Sequence, residues 1–161
     1  YKSYYLISKY SAEQLNQVDD FGNSAIHALA SIPLGHKNSN NFDQHTCPLE
    51  LFKTYKAQGG KIGLVNKLGY SPLHICKGYF NLKDLSETLK LFSKDELNQQ
   101  DLEGNTALHS QLSGIMKLRP DLVKMFISHG ARKDIKNKLN LLPHDLVKNA
   151  NNKSEFEFLK P

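Results

Sequence analysis

The chain lacks much of what marks secreted, membrane and nucleotide-hydrolysing proteins. It holds two cysteines, Cys47 and Cys76, in 161 residues. Two are too few for a disulfide scaffold, which points to a reducing, cytoplasmic setting. No apolar run approaches the ~20 residues that cross a bilayer, so no membrane insertion is expected. The start does not show the charged-then-apolar order of a signal peptide. Gly59-Gly60 lacks the Lys-Ser/Thr pair of a phosphate loop, since Ile62 follows Lys61. Sustained strand-like alternation is also missing, so an all-α fold is expected.

Charge is present but unevenly spread. The formal net charge is +5. Between Lys117 and Lys148 the basic residues are Lys117, Arg119, Lys124, Arg132, Lys133, Lys136, Lys138 and Lys148, against Asp121, Asp134 and Asp145. That stretch alone matches the whole excess. Arg132, Lys133, Lys136 and Lys138 fall on one predicted turn, where an acidic surface would be attracted; the plainer alternative is a solvated face. Aromatics are scarce between these charges, which disfavours a nucleic-acid contact.

One short phrase occurs three times. Ser24-Ala25-Ile26-His27, Ser71-Pro72-Leu73-His74 and Thr106-Ala107-Leu108-His109 each follow a glycine by two residues, and each glycine follows Asp19, Asn66 or Asp101 by three. The Asp or Asn opens a turn through its own side chain. Glycine supplies a backbone conformation that other residues adopt with strain. The hydroxyl residue suits a helix cap, and Pro72 fits the first helical position. Aliphatic residues continue at helical spacing: Ile26 with Leu29, Leu73 with Cys76, Leu108 with Leu112. A second helix follows in each unit. Its apolar stripes are Leu49, Leu51, Phe52 and Tyr55; then Leu82, Leu85, Leu89 and Phe92; then Leu122, Val123, Met125, Phe126 and Ile127, with Gly130 as a stop. A segment that recurs at this length implies a stack of small units.

The pattern resembles the ankyrin repeat, whose signature is D-x-x-G-x-T-P-L-H-x-A at a turn and helix start, then a second helix ending in G-A. The match is closest over Asn66–Cys76 and Asp101–His109, with His129-Gly130-Ala131 resembling a repeat junction. A fourth, eroded copy runs from Asn137 to Asp145, with Asn140 for Gly, Leu142 for the hydroxyl residue and Asp145 for His. Erosion fits a capping unit. Gly22 and Gly69 are 47 residues apart, Gly69 and Gly104 are 35 apart, and Asn140 lies 36 beyond Gly104. The family period is about 33, so the first unit carries an insertion, placed at residues 35–46. Gln111 stands where a small residue is usual, and Ser93-Lys94-Asp95 replaces a Gly-Ala stop.

The resemblance implies an all-α solenoid of stacked helix-turn-helix units with projecting turns or short hairpins. Its units would span 19–65, 66–100, 101–136 and 137–161, with residues 1–18 ending an earlier repeat. Both Ile7-Ser8-Lys9 through Asp19 and Phe92-Ser93-Lys94 through Asp101 run from an apolar-Ser-Lys start to Leu-Asn-Gln-x-Asp, and the chain opens on Tyr1. A piece of a longer protein is therefore expected, with Tyr4, Tyr5, Leu6 and Ile7 on that earlier outer helix. The Asn- and Lys-rich repeats are similar to those of ankyrin proteins that intracellular bacteria deliver into host cells.

Function then divides into two readings. One is a monomeric, non-catalytic module that holds a protein partner on the concave face of the stack. The turns carry unusual apolar content there: Phe21, Leu68, Tyr70, Leu102 and Leu139, with Ile32 and Tyr79 beyond the inner helices. Such residues are costly in solvent unless covered, and aromatics often anchor interfaces. Packing between neighbouring turns is the plainer account for Leu68 and Leu139. The candidate contact set is Phe21, Ile32, Leu68, Tyr70, Tyr79, Leu102, Arg132, Lys133 and Lys138. The other reading is the substrate-recognition arm of an enzyme or secreted effector whose catalytic domain lies elsewhere. Within this chain no catalytic residue, metal or cofactor is expected. His27, His74 and His109 recur one per unit and should line up instead of converging on an ion; the resemblance implies structural hydrogen bonds between turns. His36, His45 and Cys47 lack the second ligand pair of a zinc site. Cys76 reads as a small buried hydrophobe.

Overall fold

The computed structural model describes residues 7–31, 48–76, 82–113, 118–147 and 152–160. Ile32, Tyr79, His36, His45, Cys47 and the insertion at 35–46 lie outside the described residues, as do Tyr4, Tyr5 and Leu6. The described residues form helices and turns and no strand; an isolated antiparallel bridge pairs Val18 with Ser24.

Eight α-helices are present in this set: α1 Ala12–Leu15, α2 Ala25–Ser31, α3 Pro48–Ala57, α4 Pro72–Ile75, α5 Leu82–Leu89, α6 Lys94–Leu97, α7 Ala107–Leu112 and α8 Pro120–Ser128. Two 3₁₀ segments follow, Pro143–Val147 and Lys153–Leu159. They pack as two rows. In one row α2 touches α4, α4 touches α7, and α7 touches Pro143–Val147. In the other, α3 touches α5 and α5 touches α8. Contacts of α2 with α3 and of α7 with α8 tie the rows together.

The apolar stripes explain the pairing. Ile26, Leu73, Leu108 and Leu112 are buried from the first row, and Phe52, Tyr55, Leu85, Leu89, Val123 and Phe126 from the second. A short helix cannot persist alone, so this shared apolar layer is what stabilises the four-residue α4. Three expected stripe members do not join it fully. Leu82 opens α5 and stays exposed, and Met125 and Ile127 are half-buried. Met125 and Ile127 still pack against the core from its margin, whereas Leu82 stands at the first position of its helix.

Helices α1 and α6 are built alike. Ser11 and Gln14, and Ser93 and Glu96, form reciprocal capping boxes: each serine hydroxyl accepts the backbone N–H three residues on, at 3.2 Å. Ser93 therefore starts a helix where the sequence lacked a Gly-Ala stop. The following asparagines staple the rows. Asn16 donates to the Gly59 carbonyl (3.1 Å) and accepts the Lys61 N–H (2.7 Å). Asn98 treats Gly130 and Arg132 the same way, at 3.0 and 2.7 Å. Gln111 is also satisfied, donating to the Cys76 carbonyl at 2.8 Å.

Candidate interaction surface

Four turns lie side by side along one edge, opened by Asp19, Asn66, Asp101 and Asn137. In each, the opening side-chain Oδ1 accepts two backbone N–H groups. Asn66 holds Leu68 and Tyr70 (2.9 and 3.0 Å), Asp101 holds Glu103 and Asn105 (both 2.8 Å), and Asn137 holds Leu139 and Leu141 (both 3.0 Å). Asp19 does the same for Phe21 and Asn23, and the Asn23 N–H chiefly holds its carboxyl below the usual carboxylate range. The fourth residue of each turn has positive φ: Gly22 78°, Gly69 78°, Gly104 76° and Asn140 61°. At Gly69 a Cβ would stand 2.8 Å from Asp101 Cα and 2.9 Å from the Leu102 nitrogen. Glycine is thus required there both for φ and because the next turn's backbone lies against it.

Adjacent turns are joined by one recurring backbone bond. Lys67 N–H donates to Phe21 O (2.9 Å), Leu102 N–H to Leu68 O (3.0 Å), and Lys138 N–H to Glu103 O (2.9 Å). The histidines supply a second tie. Their Nε2 atoms lie 2.9 Å from Tyr70 O, 3.0 Å from Asn105 O and 3.2 Å from Leu141 O, for His27, His74 and His109 in turn. A carbonyl only accepts, so Nε2 carries the proton. Nδ1 is then an acceptor, and it takes the backbone N–H and the hydroxyl of Ser24, Ser71 or Thr106. Ser71 with His74, and Thr106 with His109, form capping boxes in which the imidazole occupies the Glu/Gln place. Burial chiefly pushes the pKa of all three histidines down. Each ring is bound to a different carbonyl, so the three do not converge.

These ties leave the second and third residues of every turn outside. Phe21 is 73% exposed, Leu68 56%, Leu102 53% and Leu139 74%. Val18 and Val65, each just before a turn, are exposed too. Tyr70 is different: half-buried, it stacks on His74 with ring centroids 6.0 Å apart. The basic group also divides. Arg132 is fork-paired with Asp134 (2.7 and 3.0 Å). Lys133 donates to the Phe158 and Lys160 carbonyls (3.3 and 2.6 Å), holding the final 3₁₀ segment. Lys136 and Lys138 remain exposed.

Other chemistry is weakly provided for. Cys76 is buried and its thiol pKa is pushed up to about 12 by desolvation, so no thiolate forms near neutrality. An open depression lined by Leu118, Arg119, Pro120, Asp121, Lys124 and Glu155 has three of its charged side chains engaged: Arg119 with Asp121, and Lys124 over the Phe158 ring at 4.9 Å. Among the described residues no three His, Cys, Asp or Glu side chains gather to hold a metal, and no helix is long and apolar enough to cross a membrane. The asparagine staples Asn16 and Asn98 were missed in the sequence; their only signal was the shared Leu-Asn-Gln-x-Asp segment. Compared with protein-family models and with curated proteins, the chain matches none.

Proposed function

We propose that this chain is an ankyrin-type solenoid acting as a non-catalytic module that binds a protein partner along its row of turns and the adjoining inner helices α2, α4 and α7. The observation that carries this reading is the set of large apolar residues on rigid tips: Phe21, Leu68, Leu102 and Leu139 are each over half exposed. Their backbones are fixed by repeated hydrogen bonds, so little ordering entropy is lost when a partner covers them. Exposed apolar surface arranged in a row is the usual mark of a contact face. Lys136 and Lys138 add positive charge at its far end.

The test replaces Phe21, Leu68 and Leu102 together by Ser. The thermal midpoint should move little, because these side chains contribute little to the core. A protein captured reproducibly by the native chain should be lost by the triple variant. Retention of the same protein by that variant would place the contact elsewhere.

A further inference from the structure

The turn tips carry a second pattern. At the second and third positions of every turn stand one charged residue and one large apolar residue, all exposed: Asp20 with Phe21, Lys67 with Leu68, Glu103 with Leu102, and Lys138 with Leu139. Read along the row, the charges run negative, positive, negative, positive. None of the four pairs with an opposite charge among the described residues. The third turn also swaps its order. Its apolar residue takes the position whose N–H bonds the Leu68 carbonyl, which brings Leu68 and Leu102 together at the middle of the row.

Such a row is its own complement when turned end for end. A two-fold axis between the second and third turns sets Lys67 against Glu103 of a second copy, with the reciprocal pair on the other side, and faces the first turn, with Asp20 and Phe21, to the fourth turn of that copy, with Lys138 and Leu139. The same operation sets Leu68 against Leu102 at the centre. Two-fold interfaces are isologous, so each favourable pair is counted twice. The result is an apolar centre with a charged rim, the usual anatomy of an interface. The first turn is doubly acidic (Asp19, Asp20) and the last doubly basic (Lys136, Lys138), which reinforces the antiparallel sense.

We propose that the turn row docks on the turn row of a second copy of this chain, antiparallel, to form a weak symmetric dimer; this rests on the reading of the turns as a contact face. The contact set is small beside the 20–30 residues a side of a stable interface. The dissociation constant is therefore expected between about 1 μM and 1 mM, and association should weaken as salt rises.

Sedimentation equilibrium from micromolar to millimolar chain tests it. The native chain should dimerise, and Lys67→Glu and Glu103→Lys should each weaken dimerisation at least about ten-fold, since each places two like-charged pairs at the centre. The two variants mixed should pair with each other, and the double variant should recover native self-association. Circular dichroism checks that all three remain folded. A native chain that stays monomeric at 1 mM overturns the proposal, as does a mixture of the two variants that fails to pair. Loss of a captured foreign protein in the Phe21, Leu68 and Leu102 triple variant, in a chain that never dimerises, would keep the contact face and sink only the self-pairing.

Discussion

The third and fourth turns begin their helices alike and end differently. At the third, the Thr106 N–H is held by His109 Nδ1 at 3.2 Å; at the fourth, the Leu142 N–H is held by Asp145 Oδ2 at 2.8 Å. His109 also reaches forward, its Nε2 lying 3.2 Å from the Leu141 carbonyl. Asp145 is too short for that reach, and a carboxylate only accepts. The position thus has two separable roles. One is local and starts a helix; the other ties a turn to the next turn. A carboxylate can fill the first, and only a ring with a nitrogen at each end fills both.

The largest way to break this arrangement is Gly69→Val. It forces a β-branched residue to positive φ and drives a Cβ into the Asp101–Leu102 backbone, for a loss of about 4 kcal/mol in urea unfolding. His74→Ala comes next. It leaves the buried Ser71 N–H and the Asn105 carbonyl without the ring, for about 3 kcal/mol. Acid should act in the same direction on all three histidines. Their folded pKa values lie below the unfolded 6.5, so the unfolded chain takes up protons first. Stability is full above pH 6.5 and falls as pH drops from there towards the folded values. Urea midpoints between pH 7.5 and 5 should show this decline, and replacing His74 by a neutral residue should flatten it. Carboxylates such as Asp19, lowered from 3.8, act only in a more acid range. Asp145→Ala, which removes the local cap, should cost about 1 kcal/mol. Asp145→His is the smallest, within about 0.5 kcal/mol, because among the described residues no further turn offers a carbonyl.

The turn row was readable from the sequence because each of its demands selects a residue type. An Asx residue must open it, a residue tolerant of positive φ must sit fourth, and a two-ended ring must follow. Asn140 could be read as a glycine substitute on that ground, and its φ of 61° agrees. Ties formed between distant segments left less trace. Asn16 meets Gly59 and Lys61 more than forty residues on, and its type is common in this chain for other reasons. Lys133 looked like a free cation, yet it is bound by carbonyls of a segment that lies 25 to 27 residues later. Tyr70 read as an exposed aromatic because its place in the turn is outward; its stacking on His74 depends on a ring four residues further on, in the next helix. Local backbone geometry writes itself into residue type, whereas long-range polar contacts accept many types.

Amide hydrogen exchange at the second residue of each turn tests the stacking most directly. Lys67, Leu102 and Lys138 each donate their N–H to the turn before, while among the described residues the Asp20 N–H donates to no earlier turn. Slow exchange at the first three and fast exchange at Asp20 is the expected outcome. Equal, fast exchange at all four would mean that the turns are not joined and that the tips are not held in a row.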